Sequence, residues 1–332
     1  MSPVQINPDA ARTLVLRVFK AHGMPDALAL PAGKALVQAE QEGLPSHGLA
    51  RVPFYAAQMR AGKVIANAVP ELSRHGAVIR VDAGFGLSFA AIDAGASMAR
   101  EVARELGVAV VSVTRSHHFG VAGQAVEPFA RQGLVALAFA NAPAAMAPWG
   151  GNRALFGTNP IAFAAPRISG DPLLIDLSLS HVARGKVMLA QKAGQPIPEG
   201  WALDAEGQPT TDADAAMAGT MVPAGGAKGA ALALMVELLT AGLAGANFAH
   251  QASSLFDDKG PAPNLAHFIL VLDPARFAPG FTDRAEVLFD AIAAQEGARL
   301  PGARRMAERK GRAETLEIPK QLHDTLMGLA RG

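Results

Sequence analysis

The chain has 332 residues, half of them hydrophobic and 18% charged, with a formal net charge of +1 and no cysteine. That length supports two domains and a sizeable core, and the apolar content argues against disorder. The near-zero charge offers no field for nucleic acid or an anionic membrane, and without cysteine there is no disulfide, thiolate nucleophile or Cys-ligated zinc.

Met1–Ala11 lacks the charged start and apolar run of a signal peptide, which points to the cytoplasm. Residues 8–44 carry apolar positions at helical spacing, and Gly23-Met24-Pro25 divides them into two helices. A short helix is expected over 51–61, a strand over 78–82, a small-residue helix over 90–106 and a β-branched strand over 107–113. A helical pattern then runs to Gln132, and 134–140, 161–165 and 173–177 read as short strands. Residues 181–192 have helical period, and 194–214, rich in Gly, Pro, Asp and Thr, read as a long surface loop. A helix over 228–243, a strand over 268–272 and a helix over 284–295 complete the pattern. The apolar run Ala230–Ala246 is interrupted by Glu237 and is short for a membrane span, so it reads as a buried helix. With no repeat and uneven spacing between strands, the pattern predicts an α/β or α+β fold, not a regular βαβ array.

The chemistry concentrates in Leu44-Pro45-Ser46-His47-Gly48-Leu49-Ala50-Arg51. Histidine titrates near neutrality unaided, and arginine offers a planar fork for a carboxylate. If the stretch is helical, His47 and Arg51 share a face; the plain alternative is a solvated helix face, with Pro53 stopping or bending the helix beyond it. Asp82-Ala83-Gly84-Phe85-Gly86-Leu87-Ser88-Phe89 comes after a strand and precedes a helix. It nevertheless lacks the third small residue of a dinucleotide fingerprint, because Phe89 stands there, and the next strand ends at Thr114-Arg115 without an acid for the ribose.

Ser116-His117-His118-Phe119-Gly120 lies between a strand and a helix, where free N–H groups can hold phosphate; a polar turn explains it equally. Gly157-Thr158-Asn159-Pro160 is a turn that serves structure or ligand. Asp176-Leu177-Ser178 ends a strand, a common place for ligand contacts. Gly225-Gly226-Ala227-Lys228-Gly229 suits an anion but lacks the Lys-Ser/Thr of a P-loop. The nine histidines show no metal spacing, so no metal is expected. The basic tail holds Arg299, Arg304, Arg305, Arg309, Lys310 and Arg312, either a solvated helix or, at Arg304 or Arg305, a neighbour of cofactor phosphates.

These stretches, together with Arg184-Gly185-Lys186-Val187, Gly200-Trp201-Ala202, Gly226-Ala227-Lys228-Gly229 and Arg299-Leu300-Pro301-Gly302, occur in an order that closely resembles the malate/L-lactate dehydrogenase-like oxidoreductases. That family includes ureidoglycolate, sulfolactate and malate dehydrogenases and the Δ1-piperideine-2-carboxylate reductases. The resemblance implies a homodimer with a non-Rossmann fold: a mixed, largely antiparallel sheet over 73–299 for a nicotinamide cofactor, NADPH or NADH, and a helical dimerisation domain from 1–72 with 300–332. It implies that His47 is the proton donor, Ser46 its hydrogen-bonded partner and Arg51 the carboxylate clamp, with a further catalytic role at His118. Thr158 and Lys186 are then expected at the substrate. His117, Phe119, Gly120, Gly123, Asp176, Ser178, Lys228, Pro301, Gly302 and Arg304 are expected at the cofactor.

The implied activity is hydride transfer at C2 of a small 2-oxo or 2-hydroxy acid of malate, lactate or sulfolactate type, the small carboxylate being the partner molecule. Reduction of cyclic 2-imino acids is the alternative. Most dehydrogenase members carry asparagine where this chain has His117, whereas the Δ1-piperideine-2-carboxylate reductases tend to carry aspartate where it has Lys186, so these two positions point in opposite directions. A hydrolase built on Ser46 is disfavoured, since adjacent helical residues do not face each other and no Gly-x-Ser-x-Gly elbow occurs. A non-catalytic ligand-binding protein would show no nicotinamide oxidation.

Overall fold

The central strands, over 135–140 and 265–272, are near-continuous apolar runs whose side chains alternate between two faces, the pattern of a sheet covered on both sides. The computed structural model describes residues 2–331. The first strand, β1 (Val4–Ile6), pairs antiparallel with β12 (Leu316–Ile318), tying the two ends of the described chain together. The main sheet contains β2 (Glu71–His75), β3 (Val78–Asp82), β4 (Val108–Ser116), β5 (Val135–Ala140), β6 (Ile161–Ala165), β7 (Leu173–Leu177) and β11 (Leu265–Leu272). Their order is β2-β3-β4-β11-β5-β6-β7, and only the β3–β4 pair is parallel. A small sheet joins β8 (Ala202–Leu203), β9 (Pro209–Thr210) and β10 (Thr220–Met221).

Ala136, Ala138 and Ala140 of β5 face a core shared with α4 (Ser88–Leu106) and α5 (Ala122–Ala130). The intervening Leu137 and Phe139 face the opposite core, with Ala233 and Val236 of α8 (Ala227–Glu237). A third core lies among α1 (Pro8–Ala21), α2 (Asp26–Gln41), α3 (Val52–Arg60) and α11 (Lys320–Leu329), where Phe19, Leu36 and Tyr55 are fully buried. Helix α10 (Ala303–Gly311) sends Met306 into the sheet core. Helices α6 (Arg184–Lys192) and α7 (Ala213–Ala218) accompany the small sheet, and α9 (Phe281–Ala293) comes after β11.

The largely antiparallel, non-Rossmann sheet agrees with the incomplete fingerprint at Gly84 and Gly86. Two expectations are corrected. Residues 194–214 are not one loop: they hold β8, β9 and the start of α7. Asp204 makes the tight turn between the two strands, accepting hydrogen bonds from the Glu206 and Gln208 N–H groups at 3.0 and 2.8 Å, and strands of two residues show no periodicity. The run from Ala230 is not fully buried either. It passes from α8 into a π-helical stretch, Leu238–Gly242. Its outer face leaves Leu232, Leu234, Met235, Leu238 and Leu243 between 37% and 66% exposed. Among the described residues, no helix is long and apolar enough to cross a membrane.

The pairing directions bring the ends of β4, β5 and β7 and the starts of β6 and β11 to one edge of the sheet. His117, Thr158 and Ser178 flank those ends in sequence. Helix α4 packs tightly on the sheet at Gly95, where a Cβ would stand 2.6 Å from Val111 Cγ1 and 3.0 Å from Val81 Cγ2. Gly95→Ala should therefore lower the unfolding free energy by about 1–3 kcal/mol despite its better helix propensity. Urea denaturation would measure this, and an unchanged or raised midpoint would show that the contact can relax.

Candidate active site

Pro45 opens a single 3₁₀ turn ending at His47, and a second turn spans Leu49–Arg51. Gly48 between them has ψ −138°, so the shared α-helical face does not form. Arg51 instead folds back, its Nε–H donating to the Ser46 carbonyl at 2.9 Å. The same turn lets Ser46 Oγ and His47 Nδ1 share a hydrogen bond of 3.1 Å. Their non-pairing, expected from α-helical geometry, is thereby corrected. Gly48 backs onto Glu40 of α2, where a Cβ would collide with the carboxylate. Glu40 Oε1 accepts the Leu49 N–H at 2.7 Å, which fixes the second turn. Pro53 does not stop the chain; it sits in the first turn of α3, where its missing N–H is harmless.

Strand β4 delivers a second group. His118 Nδ1 shares a hydrogen bond of 2.7 Å with Tyr55 Oη, and its ring centre lies 5.4 Å from that of His47. His117 is 1% exposed, and neither of its ring nitrogens has a partner. Phe119 stacks on His267 at 4.6 Å, and His267 Nε2 meets Ser116 Oγ at 3.1 Å. Gly120 has φ +80°, and a Cβ there would stand 2.8 Å from the Phe89 ring, so close packing and backbone both favour glycine.

Arg51 is buried, and its Nη1 has no partner. Burial first, and then the Arg51 charge, lowers His47 to about 4; Asp176 pulls the other way. Burial and Arg51 also hold His117 at about 3 and His118 well below its ordinary value, and burial brings His267 to about 3. All four imidazoles are thus neutral at pH 7. Burial keeps the Tyr55 phenol protonated. A buried hydroxyl needs an acceptor, so Tyr55 donates to His118 Nδ1 and leaves the His118 proton on Nε2.

Asp176 Oδ2 accepts the Gly123 N–H at 2.9 Å and Arg305 Nη1 at 2.6 Å. The turn carrying Thr158 is fixed by its neighbour Asn159, fully buried and donating to Glu237 Oε1 at 2.8 Å. Thr158 is half-buried, and its carbonyl accepts from the Leu179 N–H and from the Ser178 hydroxyl. Ser178 also shares a 2.6 Å hydrogen bond with Ser180. Gly302 presses on β7, where a Cβ would stand 2.7 Å from the Leu174 carbonyl; Pro301 beside it is exposed.

The structure gathers Ser46, His47, Arg51, His117, His118 and Asp176. Lys186, Lys228 and Arg304 are exposed, and no described contact joins them to that group. Lys186 lies over the Trp201 ring at 5.8 Å. In the basic tail it is Arg305, not Arg304, that turns inward. Sequence reasoning missed Tyr55, Glu40 and His267. Tyr55, the chain's one tyrosine, stands four residues after Arg51, a spacing that places both on one side of α3. Glu40 and His267 carry no local signal.

The malate/L-lactate dehydrogenase family profile matches residues 6–327. The chain is 60% identical over 320 residues to a (2R)-3-sulfolactate dehydrogenase (NADP(+)) of Chromohalobacter salexigens, covering 96% of each. It is 40% identical over 334 residues to a Δ1-pyrroline-2-carboxylate/Δ1-piperideine-2-carboxylate reductase of Pseudomonas aeruginosa, covering 98% of this chain and 99% of that one. Its structure superposes on a sulfolactate dehydrogenase of Methanocaldococcus jannaschii with a TM-score of 0.90 at 29% identity, covering 99% and 97%.

The four neutral imidazoles carry a stability consequence. Each takes a proton in the unfolded chain below about pH 6.5 but not in the fold. The unfolded state then binds more protons, so stability present above pH 6.5 is lost as pH falls toward 4. Glu40 and Glu237, raised by burial, act in the opposite sense, two against four. Urea unfolding should show a lower midpoint at pH 5 than at pH 7.5; equal midpoints would mean that the imidazoles are hydrated.

Proposed function

This chain belongs to the malate/L-lactate dehydrogenase family, and from that premise we propose that it interconverts a small 2-hydroxy acid and its 2-oxo acid, with (2R)-3-sulfolactate and 3-sulfopyruvate the first pair to test. The observation that carries the reading is Arg51, a buried cation with an unpaired Nη1 beside a neutral His47. An unpaired buried cation calls for an anion, and a carboxylate matches the guanidinium edge.

A nicotinamide cofactor, when bound, would supply the hydride as NADPH or NADH and accept it as NADP+ or NAD+. The residues suit such a group. Gln124 Nε2, at the start of α5 beside Gly120 and Gly123, is buried without a partner. Lys228 and Arg304 stand exposed and, among the described residues, in no ion pair, as phosphate-binding cations would. Arg51 holds the substrate carboxylate and thereby fixes C2 and its oxygen relative to His47. In the oxidising direction neutral His47 accepts the hydroxyl proton. In the reducing direction the bound carboxylate offsets the Arg51 charge, which raises His47 and lets it carry the proton to the oxygen. Ser46 orients the imidazole through Nδ1, and Tyr55 keeps the His118 proton on Nε2.

The reading is tested by following nicotinamide absorbance with both cofactors against sulfopyruvate, oxaloacetate, pyruvate and the five- and six-membered cyclic 2-imino acids. Sulfopyruvate with NADPH should give the highest kcat/KM; preference for a cyclic imine would favour the reductase alternative. His47→Ala should lower kcat by about 10²–10⁴ with cofactor Kd unchanged, and a variant with normal turnover would remove His47 from the mechanism.

The homodimer is proposed from the exposed apolar face of α8. Ala231 and Met235 of α8 and Leu238 and Gly242 of the π-helical stretch after it are exposed along one run, and an apolar face of this kind is rarely left in water. A second copy is the occupant we assign. Sedimentation should give a dimer that Leu238→Glu dissociates; a monomeric wild type would refute it.

A further inference from the structure

Lys63 is 2% exposed, yet its ammonium faces no fully buried acid. It is spent on one short loop, donating to the Ser254 and Lys259 carbonyls at 2.7 Å each, with the Asp257 carbonyl at 3.3 Å and carboxylate at 3.5 Å. Gln58, fully buried, donates to the Asp257 carbonyl of the same loop at 2.8 Å. The loop closes on itself as well: Ser254 Oγ accepts the Phe256 N–H, and Asp257 Oδ1 accepts the Lys259 N–H. At its tip Phe256 lies under the Arg51 guanidinium, 4.5 Å from ring centre to Cζ, and meets Phe54 edge-on at 6.0 Å.

Arg51, Phe54 and Gln58 stand at i, i+3 and i+7, so they line one side of α3, and the loop runs along that side like a strap. Lys63 comes directly after α3 and grips the strap's far end. The two flanks of α3 therefore carry the carboxylate clamp, just before its first residue, and the anchor of the ring that covers it, just after its last. We infer that Phe256 is a specificity-determining cover for the Arg51 clamp and that Lys63 is the positioning residue that holds it there, an inference that rests on Arg51 receiving the substrate carboxylate.

The ring acts in two ways. It closes one face of the guanidinium, while the Ser46 carbonyl occupies Nε, so a planar carboxylate must approach along the remaining Nη edge. It also keeps water off that face, so the ion pair forms in a less polar setting. Lysine suits the anchor because three donors on one cation satisfy several carbonyls at once. A neutral residue in its place would leave these part-buried carbonyls without their donor.

The experiment is a set of variants assayed with the preferred 2-oxo acid, with cofactor Kd measured separately by fluorescence. Phe256→Leu should raise the KM for the acid about 3- to 30-fold, the range of a desolvated cation–π contact, with kcat and cofactor Kd unchanged. Phe256→Tyr, which keeps the aromatic face, should restore KM. Lys63→Met should raise KM in the same way, and the double variant should be no worse than the worse single one. If Lys63→Met does not fold, Asp257→Asn, at the exposed end of the same contact, should raise KM by a smaller factor.

An unchanged KM in Phe256→Leu would overturn the inference. So would additive single effects, or a loss of cofactor binding that Phe256→Tyr fails to restore. A wild type inert toward every 2-oxo and 2-imino acid would sink the functional reading; an active wild type with an indifferent Phe256 sinks this inference alone.

Discussion

Arg51 is a cation placed inside the protein and, among the described residues, in no ion pair with an acid. Leaving Nη1 unpaired there costs about 1–3 kcal/mol or more, and the surroundings are arranged to tolerate that cost. The Ser46 carbonyl takes Nε, and the Phe256 ring lies against one face. Burial depresses His47, His117 and His118, and the uncompensated Arg51 charge lowers all three further. The neutral state of the histidine group thus rests on burial first, with the Arg51 charge reinforcing it at His47, His117 and His118.

Holding this arrangement falls to contacts distant in sequence. Glu40 caps the turn after His47 through Leu49, and its reach requires the absence of a side chain at Gly48. Asp176 comes from the edge strand β7 and is drawn in by Arg305 of α10. The same helix uses Arg309 to bind both Glu42 and Glu127 at 2.5 Å, so the end of α2, α5 and α10 are locked together. These ion pairs are partly buried and hydrogen-bonded, the setting in which such pairs set geometry more than they add stability. Tyr55 links the helical layer to the end of β4 through His118.

Much of the fold was legible. The paired helices before residue 44 and helices α4 and α5 obey their apolar period because each buries one face. Strands β3 to β7 stand out as short apolar runs, β5 because both its faces are covered. The elements that could not be read lack that signal. Strand β2 is exposed along all five residues, and β8 and β9 are two residues long. The outer face of α8 looked like core because it is apolar all round, and sequence cannot say which side remains uncovered. At the site, the ordered motifs found His47, Arg51 and His118, but the geometry between Ser46 and His47 depended on Gly48 breaking a helix into two turns. Glu40, His267, Lys63 and Phe256 enter through long-range packing, to which spacing is blind.

The proposed seat of the substrate carboxylate on Arg51 requires that binding raise the proton affinity of His47. The most direct measurement is the titration of His47 by NMR in the cofactor complex, with and without a saturating unreactive 2-oxo carboxylate such as oxamate. Burial together with an uncompensated Arg51 predicts a pKa near 4 without the carboxylate and a rise when the anion sits on the guanidinium. A His47 that titrates near its ordinary value of about 6.5 without the anion, or does not move when it binds, would contradict this.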